Sequence, residues 1–107
     1  MALYDVLLEV WPSPVVALNR AVALALAEGP ETGLGQIQEL EADGRLADYR
    51  YLPAAKADLL RRLGREEEAV RAYRDALALT ENSAERDFLA RRIAEVRGQP
   101  ERGHARG

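Results

Sequence analysis

The stretch LPAAKADLLRRLGREEEAVRAYRDALAL, residues 52–79, consists mostly of good helix formers and contains a single glycine, Gly64. Apolar residues recur at helical spacing on both sides of that glycine: Leu52, Ala55, Leu59, Leu60 and Leu63 before it, and Ala69, Tyr73, Ala76 and Leu77 after it. Three glutamates open the second half, where the dipole of a helix favours them. The stretch therefore predicts two amphipathic helices, 52–63 and 66–79, joined by a left-handed glycine turn.

The rest of the chain predicts four further helices and no strand. The segment between Pro14 and Gly29 is nearly all apolar, with Asn19 and Arg20 as its strongly polar interior residues, so we expect it to be the most buried helix. A helix is also predicted over about 31–42, and another over about 84–96 with Phe88, Leu89, Ile93 and Val96 facing inward. Residues 2–11 have helical apolar spacing but no N-cap, which is typical of a piece excised from a longer protein.

Gly29 and Gly64 lie 35 residues apart, close to the period of about 34 residues of tetratricopeptide repeats. The segment LGREEEAVRAYRDAL resembles the second half of such a repeat, with small residues at Ala69 and Ala76 and an aromatic at Tyr73. The first unit resembles it less, since Leu34, Gln38 and Glu41 stand at those positions. We predict an all-α, tetratricopeptide-like, right-handed helical repeat of about six antiparallel helices over residues 1–97, followed by a disordered tail over 98–107.

Three linked motifs resemble a known family. YDVLLEVWPSPVVALNRAVALALAEGPETGL (4–34), YLPAAKADLLRRLGREEEAVRAYRDALAL (51–79) and ERDFLARRIAEV (85–96) are similar to the C-terminal tetratricopeptide-like extension of some bacterial extracytoplasmic-function RNA polymerase sigma factors. The resemblance implies a regulatory, protein-interaction domain in transcription initiation that contacts the sigma core, the polymerase or a regulator. The promoter-binding regions of that family have no counterpart here, so the chain alone is expected not to bind DNA.

The residue inventory argues against an enzyme. The chain has no cysteine, and its one histidine, His104, lies in the predicted tail, where it could not be held in place for catalysis. Spacings typical of metal ligands or phosphate loops are absent, so we expect neither metal nor cofactor. Lack of cysteine fits a reducing cytoplasm, and the interrupted N-terminal segment supports neither a signal peptide nor a membrane span.

Charge gives a weaker argument about partners. The net charge of −3 and pI near 5.2 provide no overall attraction for nucleic acid or an anionic membrane. Two arginine clusters could contact phosphates: Arg61, Arg62 and Arg65, and Arg91, Arg92 and Arg97. Arginines near helix C-termini are, however, equally explained as partners of the helix dipole.

A protein partner would bind the concave side of a helical repeat, which the first helix of each pair lines. By register from the two glycines, the residues predicted to face it are Val16, Asn19, Ala23, Tyr51, Ala54, Asp58, Arg61 and Arg62. The candidate partner-binding residues are Asn19, Arg20, Tyr51, Asp58, Arg61 and Arg62. Two alternatives stay open, namely a hydrogen bond of Asn19 to a neighbouring helix and a core position for Tyr51. A free-standing peptide-binding adaptor is the alternative function, and the apolar segment 2–11 is expected to offer a homodimer surface.

Overall fold

A computed structural model of the chain describes the backbone of residues 14–106 and the side chains of residues 14–98. It contains five α-helices: α1 (Pro14–Glu28), α2 (Pro30–Asp43), α3 (Tyr51–Arg62), α4 (Glu66–Ala78) and α5 (Ser83–Arg106). Over this part of the chain there is no strand, which confirms the all-α prediction. The predicted helix over 2–11 lies outside the described residues.

Glycines with positive φ follow the ends of three of the helices, because an L-residue with a side chain would be strained at such a φ. Gly29, Gly44 and Gly64 have φ of 111°, 84° and 78°. At Gly64 the backbone N–H donates to the carbonyl of Arg61 (3.0 Å), and the next N–H, of Arg65, reaches back to Leu60 (2.9 Å). These bonds satisfy carbonyls that the end of α3 would otherwise leave unpaired.

Replacing Gly64 with alanine should lower the free energy of unfolding by about 1–2 kcal/mol, the cost of placing an L-residue in the left-handed region. Apart from the two chain neighbours, no atom of the described residues lies within 4 Å of the position a Cβ would take, so backbone strain is the expected cause. Urea denaturation would measure the loss, and asparagine at the same position should lose less. An alanine variant as stable as the parent chain would contradict the left-handed turn.

The helices pack in chain order, each against the next, and α1 also touches α3. The middle of the core belongs to α4, which lies between α3 and α5 and buries Ala69, Tyr73 and Ala76 almost completely. The expectation that the Pro14–Glu28 helix is the most buried is wrong, since Leu26 is 70% exposed. The reason is position: α1 is the first in the row of described helices and has no described neighbour on its outer side.

The last helix differs from its predicted length. It continues to Arg106, ten residues beyond the predicted end near Val96. Gly98 does not stop it, because this glycine keeps helical backbone geometry instead of adopting the left-handed conformation. The disordered tail over 98–107 stays a prediction. None of the described helices is long and apolar enough to cross a bilayer.

Candidate interaction groove between α1, α3 and α5

A groove of about 440 Å³ lies where α1, α3 and α5 come together. Its walls include Asn19 and Val22 from α1, Tyr51 and Asp58 from α3, and Phe88 and Arg92 from α5. The helices that alternate with these, α2 and α4, contribute only Tyr73 of α4 to the lining. We call this surface the groove.

Three of the six candidate residues, Asn19, Tyr51 and Asp58, line the groove together. The Asn19 side chain is exposed and makes no hydrogen bond to another described residue, so the internal bond considered from sequence is not formed. Tyr51 is 43% exposed and is not a core residue. Of the other positions expected from register, Ala54 lines the groove, whereas Val16 and Ala23 do not and Val22 takes their place.

The remaining three candidates, all arginines, do not line the groove directly. Arg61 and Arg62 bind the two oxygens of the Asp58 carboxylate, with Nη2 to Oδ1 at 2.5 Å and Nη2 to Oδ2 at 3.0 Å. Arg61 also donates from Nε to the hydroxyl of buried Tyr73 at 3.3 Å. The hydrogen bonds to Asp58 and then to Tyr73 raise the pKa of the Arg61 guanidinium. Arg20 is half-buried in α1 and lies outside the groove lining.

The most exposed aromatic in the groove is one that the sequence placed in the core. Phe88 is 46% exposed, and the guanidinium carbon of Arg92 lies 5.1 Å from the centre of its ring. Its neighbour Leu89 is 5% exposed and Val96 is fully buried, so those two predictions are confirmed. Adjacent residues of a helix point about 100° apart, so Phe88 and Leu89 cannot both face α4. That adjacency was the available signal for an exposed aromatic.

A polar network joins the start of α3 to α5 beside the groove. The Tyr51 hydroxyl donates to Oε2 of Glu85 at 2.6 Å, and Arg50 Nε donates to Oε1 at 2.9 Å. The Arg50 guanidinium lies 4.6 Å from the centre of the Tyr51 ring, and Tyr49 meets that ring edge-on at 5.4 Å. Beneath the network is an apolar recess of about 270 Å³, which shares Tyr51 and Phe88 with the groove.

Glu85 should make the stability of the chain depend on pH in the acid range. The hydrogen bond from Tyr51, helped by Arg50, holds the pKa of the Glu85 carboxyl below its ordinary value of 4.5. A carboxyl whose pKa is lower in the folded state stabilises the fold above its unfolded pKa, and this contribution is lost as the pH falls through the folded pKa. We therefore expect the melting temperature of the parent chain to fall toward that of Glu85→Gln as the pH drops below the ordinary value of 4.5.

Melting temperatures measured from pH 7 to pH 3 would test this expectation. The control is Glu39→Gln, which removes an exposed carboxyl of α2 that has no ion pair among the described residues. It should keep the pH dependence of the parent chain. Equal slopes for the parent chain and Glu85→Gln would mean that the network does not stabilise the fold.

Most of the arginines that suggested phosphate binding are paired with carboxylates. Besides the two on Asp58, Arg65 Nε binds Glu68 at 2.7 Å and Arg92 Nη1 binds Glu95 at 3.0 Å. These i, i+3 pairs indicate that the paired arginines stabilise their own helices rather than form a continuous basic surface for phosphates. Within the described side chains, no three residues of the types that bind metals lie close enough to hold an ion.

The chain is similar to an uncharacterized protein of Rhizobium meliloti (strain 1021), with 39% identity over 98 residues. The match covers 92% of the chain and 23% of that protein, so the chain spans about a quarter of the length of its relative. No family model matches the chain, and no solved structure matches it significantly. The relative thus supplies no function, but it carries a similar sequence within a much longer protein.

Proposed function

We propose that the chain is a tetratricopeptide-like interaction module of an extracytoplasmic-function RNA polymerase sigma factor, and that it binds a protein segment in the groove. The observation that carries the proposal is a concave surface on which Tyr51 and Phe88 stay about half exposed. Aromatic side chains lose much unfavourable contact with water when a partner covers them, and exposed clusters of them are typical of binding surfaces.

The arrangement of the helices supports a right-handed tetratricopeptide-like repeat. α1 packs on α2 and α3 on α4, and each pair turns near a glycine with positive φ, Gly29 or Gly64. The small residues Ala69 and Ala76 are fully buried, which lets neighbouring helices approach closely. The first helices of successive pairs, together with α5, line the groove, as the concave side of such a repeat requires.

The link to transcription rests on the sequence resemblance of segments 4–34, 51–79 and 85–96. A module within a longer protein is in keeping with a relative of which the chain spans only about a quarter. In this proposal the module contacts the sigma core, the polymerase or a regulator, and thereby shifts the population of the transcription-competent state. No promoter contact is assigned to the module itself.

Deletion of the module from the full-length protein tests the proposal. Transcription from a promoter that depends on the protein should change several-fold on deletion, and the groove variant Phe88→Ser in the intact protein should change it in the same direction. Phe88 is exposed, so serine should leave the fold intact, which circular dichroism would verify. Unchanged transcription in the deletion variant would contradict the proposal.

The second candidate is a free-standing adaptor that recognises a peptide in the groove, without a role in transcription. It is favoured by Asn19, whose exposed amide in the groove has no described partner and is available to bind a peptide backbone. Such an adaptor should fold, remain monomeric and bind its ligand alone, and Asn19→Ala should weaken that binding. The homodimer surface proposed for segment 2–11 lies outside the described residues, and a dimer in solution would be evidence against the adaptor.

A further inference from the structure

We infer that the groove selects an acidic protein segment, in which a bulky apolar side chain is flanked by carboxylates, over a basic one. This inference rests on the proposed function, since it names the chemistry of the segment that the groove binds. Two properties of the groove support this inference. One is the position of its apolar residues, and the other is which of its charged side chains already have ion-pair partners.

The groove adjoins an apolar recess whose walls include residues of α3 and α5. Phe88 and Tyr51, both about half exposed, line the groove and the recess, as do Ala54 and Leu89. An aliphatic or aromatic side chain that inserts there would cover both rings. The contact therefore calls for at least one bulky apolar residue in the bound segment.

Three described carboxylates that contact residues of the groove or its recess already accept charged or hydroxyl donors. Asp58 is held by two arginines, one on each oxygen. Glu85 accepts from Arg50 and from the Tyr51 hydroxyl, and Glu95 accepts from Arg92. A lysine or arginine of a partner would have to displace these donors before it could pair, so a basic segment gains little from the groove.

The arginines, in contrast, have N–H donors that their ion pairs do not use. Arg92 lines the groove, whereas Arg50, Arg61 and Arg62 lie outside its lining. These four arginines pair with the three carboxylates of Asp58, Glu85 and Glu95, which leaves one net positive charge in this set of paired groups. A guanidinium has five N–H groups, and the one ion pair of Arg92 uses Nη1 alone. Because Arg92 also lies over the Phe88 ring, a carboxylate bound there would sit directly beside the apolar contact.

Selection from a library of random 12-residue peptides displayed on phage, with the full 107-residue chain as bait, would test the inference. We expect the enriched peptides to share a bulky apolar residue with Asp or Glu within one helical turn of it. For a synthetic peptide of that consensus, Arg92→Glu should raise the Kd at least tenfold, because it places a carboxylate where the peptide carboxylate binds. Arg91→Glu, the same charge change at the neighbouring exposed position outside the groove, should change the Kd less than twofold.

A second variant, Phe88→Ser, distinguishes a loss of binding from a loss of folding. It should also raise the Kd of the peptide while leaving the circular dichroism spectrum unchanged. Enrichment of basic peptides, equal binding to the parent chain and Arg92→Glu, or no enrichment above an unrelated bait would each overturn the inference. If acidic peptides bound in the groove but groove variants had no effect on transcription, this inference would be supported and the proposed function contradicted. If transcription depended on the groove but the selected peptides were basic, the proposed function would be supported and this inference contradicted.

Discussion

Replacement of Tyr73 with alanine should destabilise the chain by about 4 kcal/mol, because it removes a large aromatic ring from the centre of the core and leaves a cavity. Tyr73 is 2% exposed and belongs to α4, the helix enclosed by α3 and α5. Proteins have about 5–15 kcal/mol of stability in total, so the variant should lose about a quarter or more of it. Urea denaturation followed by circular dichroism would measure the change.

Tyr73→Phe is the matched control for that experiment. It keeps the ring and removes only the hydroxyl that accepts a 3.3 Å hydrogen bond from Arg61 Nε. The expected loss is about 1 kcal/mol or less, because the bond is long and Arg61 retains its pairing with Asp58. Similar losses for the alanine and phenylalanine variants would mean that the hydroxyl contact, not the packing of the ring, is what Tyr73 contributes.

Gly33→Val should cost about 3 kcal/mol by overpacking the contact between α1 and α2. A Cβ on Gly33 would lie 2.5 Å from the Cβ of Ala25 and 2.8 Å from the carbonyl oxygen of Ala21. Neither atom can swing aside, since one is a methyl group fixed to the backbone and the other is the backbone itself. The two helices would have to separate, and the buried positions around Ile37 would lose contacts.

Gly35→Ala is the control at a second glycine of the same helix. Among the described residues, nothing outside its chain neighbours and the backbone of its own helix lies within 4 Å of its Cβ position. Alanine should therefore raise stability by about 0.5–1 kcal/mol through its better helix propensity. Opposite signs at the two glycines are the expected result in thermal or urea unfolding. A stabilising Gly33→Val would show that α1 and α2 do not approach as closely as described.

The helices and turns were largely predictable from the sequence because their signals are local. Leu52, Leu59 and Leu60 repeat at helical spacing and are buried, and the left-handed Gly64 ends α3. The small and aromatic positions of α4 follow from the same periodicity, and Tyr73 is buried as expected. For each of these, the periodicity or the glycine is read within a few residues of the position concerned.

The close contact at Gly33 was not predictable in the same way. From sequence, that glycine only weakens the first turns of α2, whereas in the fold its missing side chain admits Ala25. The exposure of Phe88 depends similarly on which face of α5 meets α4. Both properties are set by how two helices approach each other, which the sequence of either helix alone does not determine.

The candidate site was predictable in part. The register from the two glycines placed Asn19, Tyr51 and Asp58 on one surface, and they do share the groove. The network between Tyr51 and Glu85 joins residues 34 positions apart, so no local pattern indicates it. Arg92 and Phe88 line the groove because α5 forms its third wall. The position of α5 is set by tertiary packing, which no local pattern indicates.

The central claim, that the chain acts as a module of a larger protein, is tested most directly by the size of the native protein. An antibody raised against the chain would be used in an immunoblot of cells that produce it. The proposal predicts a band several times larger than the 11.8 kDa of the chain itself. A band near 11.8 kDa would contradict the sigma-factor proposal and direct the search to peptide ligands of a free-standing adaptor.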